Sequence, residues 1–275
     1  MNELKYNNKE DNENKKHNEN VENNNNKFEK IVVFDLDETL GFYTQFGIFI
    51  DCLKIYFKLI INQNLFNNLL DLYNEFHRPG IITLLNYLKK QKENYNIDKI
   101  LIYTNNQGSK SWVNKLKNYF EYKINYKLFD QVIGAYKINN KIIEICRTSH
   151  NKTYKDLCNC SKLDKGTKVC FIDDLYHHQM NNSNVYYIHI KPYYYDLDYN
   201  ILINRFLKSK VFNSIKNNII NNNIDIHNFK NYVFKCFNSY NYFFDKKDKL
   251  SHDVDKILYK KILEHLQIFI NMYNK

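Results

Sequence analysis

Ile31-Val32-Val33-Phe34-Asp35-Leu36-Asp37-Glu38-Thr39-Leu40 joins four apolar residues, three of them β-branched, to two carboxylates one residue apart. Such a run reads as a strand buried on both faces, the kind found inside a parallel sheet. If the strand continues, Asp35 and Asp37 point the same way; if the chain turns after Asp35, the first acid ends the strand and the second sits in the loop above it. Either geometry crowds two like charges, which raises one pKa or calls for a cation.

Two further stretches repeat the pattern. Lys99-Ile100-Leu101-Ile102-Tyr103-Thr104-Asn105-Asn106 is an apolar run ending in a hydroxyl, and Lys168-Val169-Cys170-Phe171-Ile172-Asp173-Asp174 is another ending in two carboxylates. Ligands of open parallel sheets collect beyond the carboxyl ends of the strands, so three such endings predict one shared pocket.

Asp35-Leu36-Asp37-Glu38-Thr39-Leu40 resembles the signature of the haloacid dehalogenase superfamily of phosphotransferases. With Glu where most members carry Gly, the wording is similar to the branch of small carboxy-terminal-domain phosphatases and their relatives. Arg78-Pro79-Gly80, followed by the amphipathic Ile81 to Leu88 and then the Thr104 strand, resembles the same branch. The resemblance covers roughly 30 to 192. It implies an α/β, Rossmann-like core with a central parallel sheet and a small insertion at about 41–77; beyond it, the absence of Gly and Pro, apolar residues at helical spacing and an excess of basic residues predict a helical and basic extension over 193–275.

The resemblance also implies a chemistry. Asp35 is the nucleophile that forms an aspartyl-phosphate, and Asp37 protonates the leaving oxygen and later takes a proton from water. Thr104, Asn105 and the amides that follow hold the phosphoryl oxygens, and a lysine compensates their charge. Lys155, in Lys155-Asp156-Leu157 with Arg147 upstream, fits that lysine best, and Lys152 is the alternative. Mg²⁺ suits hard carboxylate oxygens, here Asp35, the carbonyl of Asp37 and a carboxylate of Asp173 or Asp174. The implied activity is hydrolysis of phosphoserine or phosphothreonine in a protein. Thr104-Asn105-Asn106-Gln107-Gly108 faintly resembles a motif of polynucleotide 3′-phosphatases in the same superfamily, and a phosphatase-like scaffold without turnover is a third reading.

Thr104 lies 65 positions after Thr39, enough for a small insert and one crossover helix and tight for a large lid. A pocket without a large lid suits a phosphoryl group carried on a macromolecule. The formal charge of +10 also suits a phosphorylated or acidic partner, with nucleic acid possible through 198–275, where thirteen basic and seven acidic residues give +6. Asn-rich runs and 24 Tyr against 2 Pro fit a compositional bias as easily as selection.

Residues 1–29 are predicted to be a disordered polar tail, because eleven Asn and few large apolar groups leave little surface to bury. The six cysteines lie in no framework spacing and read as reduced thiols of an intracellular protein, cytoplasmic or nuclear. No secretory signal and no membrane span are expected: the most apolar window, Phe46 to Ile61, is broken by Asp51, Lys54 and Lys58. The spacing predicts a helix over Ser109 to Tyr122, a hairpin around Asn139-Asn140, helical structure at Ile203, Leu207 and Val211, and a late helix capped by Ser251. Tyr176-His177-His178-Gln179-Met180 reads as an exposed or substrate-facing loop rather than a ligand set.

Overall fold

The computed structural model describes residues 28–217 and 225–273, so 1–27 of the tail expected over 1–29 lie outside the described part, while its last residue, Glu29, is tied to the fold by Lys99, Thr167 and the Lys168 amide. In chain order the elements are β1 (Lys30–Phe34), α1 (Thr44–Tyr56), α2 (Gln63–Leu70), α3 (Ile81–Glu93), β2 (Lys99–Tyr103), α4 (Lys110–Ile124), β3 (Gln131–Ile133), β4 (Lys137–Ile138), β5 (Lys141–Ile142), α5 (Tyr154–Ser161), β6 (Lys168–Asp173), β7 (Val185–His189), α6 (Tyr199–Leu207), α7 (Lys210–Asn217), α8 (Ile226–Ser239) and α9 (Lys249–Met272). Five strands form one parallel sheet in the order β3-β2-β1-β6-β7. This is an α/β fold with a Rossmann-like core, and the three strands singled out from the sequence lie side by side at its centre.

Alternation along the strands sorts the core into two unequal halves. Ile31, Val33, Leu101, Tyr103, Val169 and Phe171 face one side, where they meet Leu157 of α5 and Met180. Val32, Phe34, Ile100, Ile102, Cys170 and Ile172 face the other, under the remaining helices. On that thick side Phe46 of α1 packs among Phe66, Tyr73, Phe76 and Trp112, so the insert is fixed to the sheet by an aromatic cluster. Each such ring contributes on the order of 1.5–3 kcal/mol of burial.

The segment over 193–275 joins the same core. Phe206 packs on Phe49 and Phe57, and Phe269 packs on Tyr186 of β7. Tyr259 of α9 lies against Gly80, whose φ of 77° begins α3; any side chain there would strike that ring.

The hairpin forms as expected, with Asn139 and Asn140 both left-handed between β4 and β5, which pairs only two residues per strand. The helical spacing at Ile203, Leu207 and Val211 is shared between two helices: Ser209 accepts from Phe212 N and starts α7 anew. Two expectations need correction. Cys146 and Cys160 form a disulfide; its partners come together by the fold of the intervening loop, which no spacing rule encodes. Asp248, not Ser251, caps α9, and Ser251 donates its amide to that cap. No helix among the described residues is long and apolar enough to cross a membrane.

Candidate active site

The strand alternation decides where the acids point. Asp35 continues the series Ile31, Val33, and Asp173 continues Val169, Phe171, so both carboxylates emerge from adjacent strands on the thin side of the sheet. The Asp35 amide donates to Ile172 O at 2.9 Å, which locks the end of β1 to β6. Lys152 rises into the gap from the loop before α5: its Nζ lies 2.5 Å from Asp35 Oδ1 and 2.6 Å from Asp173 Oδ2, with the Tyr103 and Phe171 rings on either side. Asp174, next in the chain, accepts from Thr39 Oγ1 at 3.0 Å.

Donor oxygens of Asp35, Asp173 and Asp174 lie within 4.8 Å of one another. The chain turns sharply after Asp35, with Glu38 at φ 56° and its amide donating to Gly41 O. A Cβ at Gly41 would strike the Tyr43 hydroxyl and the Phe76 carbonyl, so this turn needs glycine. Arg78 fastens the turn from below, donating through Nε to Thr39 O at 2.6 Å and through Nη2 to Glu38 O and to Lys191 O, at 2.5 and 2.8 Å.

Asp37 leaves the strand and is held by Asn106 Nδ2 at 2.7 Å. Asn106 is itself positioned by the end of β2, its amide donating to Thr104 Oγ1 and its Oδ1 accepting from Gly108 N. Asn105 is gripped from the other side. Arg147 donates to its Oδ1 at 2.8 Å and to the carbonyls of Thr104 and Gly134, while lying over the Tyr103 ring.

Four carboxylates and one ammonium thus meet at the rim, and the electrostatics reflect the surplus. Burial, then the charges of Asp173 and Asp37, push the Asp35 carboxyl well up against the pull of Lys152. Burial likewise raises Asp37, against the Asn106 hydrogen bond, and Asp174, against that of Thr39. Burial works against the charged Lys152, yet the carboxylates of Asp35 and Asp173 outweigh it and hold its pKa above the ordinary range. A donor set of buried hard oxygens with uncompensated negative charge fits a divalent cation, and the triad Asp35, Asp173 and Asp174 is able to hold one.

No family model, curated protein or solved structure matches this chain. What can be said of the site therefore rests on its geometry.

The structure brings together Asp35, Asp37, Asp173 and Asp174, links Thr104 to Asp37 through Asn106, and engages the Asn105 side chain with Arg147 instead. It does not bring Lys155 to them. Thr153 caps α5, accepting from Asp156 N at 2.9 Å, which places Lys155 in the first helical turn with its side chain exposed and leaves Lys152 just before the cap, buried at the acids. The geometric choice falls on the alternative. The signal was present in Thr153-x-x-Asp156, a helix-start pattern that puts position 152 outside the helix. The sequence reading also missed Thr39 and Asn106, the partners of Asp174 and Asp37; His177, read with its loop as exposed or substrate-facing, has its Nε2 3.4 Å from Asp173 Oδ2.

Proposed function

We propose that the chain is a magnesium-dependent phosphomonoester hydrolase that works through an aspartyl-phosphate on Asp35, with phosphoserine or phosphothreonine in a protein as its substrate class. The observation that carries this reading is the convergence of Asp35, Asp173 and Asp174 around Lys152, with Asp37 held beside them by Asn106.

A phosphate monoester dianion repels nucleophiles, so catalysis consists mostly of placement and charge neutralisation. Lys152 screens the approach of the Asp35 carboxylate to phosphorus. As the Asp35 oxygen bonds to phosphorus, the bond from phosphorus to the leaving oxygen breaks, and Asp37 gives that oxygen its proton. The raised pKa that burial gives Asp37 favours the protonated form this step needs. In the second half Asp37 takes a proton from water, the water oxygen bonds to phosphorus, and the bond to Asp35 breaks to restore the carboxylate. In this reading Thr104 and the amides after β2 hold the phosphoryl oxygens, with the Asn106 and Gly108 amides leaving their present acceptors, Thr104 Oγ1 and Asn106 Oδ1, to do so. Mg²⁺, held by Asp35, Asp173 and Asp174 with the Asp37 carbonyl, would supply Lewis-acid neutralisation of the phosphoryl charge.

Turnover of an aryl phosphate by the full chain with Mg²⁺ is the direct test. Asp35→Asn is expected to reduce it to background, a loss of about 10⁴-fold or more. Retained turnover in that variant would refute the nucleophile assignment.

A further inference from the structure

Asp37 lines a cavity of about 400 Å³ that none of the other rim acids enters. Its walls come from α1 and from the turn between β2 and α4: Gly47 and Asp51 on one side, Asn106 and Trp112 on the other. An acid that protonates a leaving oxygen must face the leaving group, so this cavity lies where that group has to sit. Its volume is within the range of small-ligand sites and suits one side chain with its adjoining backbone. Gly47, inside a helix where glycine is less favourable than alanine, leaves the opening between α1 and Trp112 clear.

The charge of the cavity is distinctive. Its charged linings are the carboxylates of Asp37 and Asp51, with no lysine or arginine among them. Asp51 takes part in no ion pair among the described residues; Tyr240, the residue after α8, hydrogen-bonds to it. Lys54, one turn along α1, is exposed and outside the lining, and Lys110 is outside it too, lining a smaller cavity that adjoins this one at Asn106 and Gly108. A polyanion would meet repulsion here. A different cavity, about 590 Å³ between Phe42, Tyr194 and Phe243, does carry Lys191 and Lys246 and could stack a base, but Asp37 is not part of it.

We infer that the cavity between Gly47, Asp51 and Trp112 is the leaving-group subsite, and that it selects phosphoserine or phosphothreonine in peptides with basic flanking residues over nucleic-acid phosphates. The inference rests on the proposed hydrolase reading and on Asp37 as its acid. Asp51 is a specificity residue: its carboxylate attracts the flanking cation that follows the phosphorylated side chain into the cavity.

The test uses the full chain with Mg²⁺, p-nitrophenyl phosphate, a 3′-phosphorylated oligonucleotide, and phosphoserine peptides differing in flanks of Arg, Ala or Glu. The expected order of kcat/KM is Arg, then Ala, then Glu, with about fivefold per step and the oligonucleotide below all three, the size of one partly screened charge pair. Asp51→Arg should invert the order of the Arg and Glu peptides; should that variant fold poorly, Asp51→Asn should flatten it. Gly47→Leu, which fills the opening, should raise KM for every peptide by about tenfold, the worth of a lost side-chain contact or two. An unchanged peptide order in both Asp51 variants, or an oligonucleotide turned over faster than the peptides, overturns the inference. Turnover of p-nitrophenyl phosphate with no flank preference overturns the inference alone; no turnover of any phosphomonoester overturns the hydrolase reading and takes the inference with it.

Discussion

Lys152 lies between Asp35 and Asp173 with Asp37 and Asp174 beside them, whereas Lys247 faces the single buried carboxylate of Asp255 on α9. Both ammonium groups and both sets of acids are withdrawn from water. Near Asp255 the carboxylate has positive charge to spare: Lys247, which also lies over the Tyr193 ring, pairs with it, and Arg78 feels its field as well. At the strand ends four carboxylates share one lysine. A buried carboxylate with its countercharge in place is a structural clamp, while a cluster with surplus negative charge is destabilised until a cation completes it. The two clusters are joined through Arg78, which faces Asp255 and also holds the turn carrying Glu38 and Thr39.

Neutralising one acid in each cluster should therefore move stability in opposite directions. Asp255→Asn strands Lys247 and is expected to cost about 3 kcal/mol in urea unfolding, the usual result of breaking a buried pair. Asp35→Asn relieves repulsion in the metal-free protein and should raise its unfolding midpoint while removing turnover. A loss of stability in both variants would break the comparison.

The next largest effect is that of the cation. Mg²⁺ at about a hundred times its Kd should stabilise the wild type by about 2.7 kcal/mol, read as a rise in Tm. Asp173→Asn should cancel that rise, and Asp255→Asn should leave it in place.

A third kind of buried polar group sharpens the contrast further. His77 is buried between Tyr43 OH at 2.9 Å and Tyr119 OH at 3.1 Å, and burial, with Lys123 nearby, depresses its pKa from 6.5 to about 4. Above pH 6.5 the ring is neutral folded or unfolded, and its full contribution is present. As pH falls from there towards 4 the unfolded chain binds a proton that the folded one refuses, so stability drops. His77→Gln should remove that part of the slope in unfolding curves taken across this window.

Much of this was readable before any coordinates. Three apolar runs ending in polar groups fixed the centre of the sheet and put Asp35, Thr104 and Asp173 on one rim, because burial on both faces leaves few alternatives for such runs. Asn139-Asn140 announced its turn through the tolerance of asparagine for left-handed backbone. Position along a polar loop is different. Lys152 and Lys155 have the same chemistry three residues apart, and what separates them is the cap at Thr153 and the side of the sheet on which Tyr103 and Phe171 lie. The break at Ser209 was hidden because residues on both sides of it keep a spacing of four. The Cys146–Cys160 bridge was hidden because its partners meet through the loop that also carries Arg147 and Lys152.

The order of the strands carries a consequence for how the protein is made. β1 precedes both of its neighbours in the chain yet lies between them at the middle of the sheet, and its partners Lys99 and Lys168 follow long after Ile31 and Lys30. The nascent chain must hold an apolar strand with both edges open until the segment carrying Lys99 is made, and with one edge open until Lys168 follows, the stage at which chaperone capture or mispairing threatens most. Only when Asp173 emerges can the two acids at the ends of β1 and β6 meet, so the proposed catalytic centre is assembled late from strands far apart in the chain.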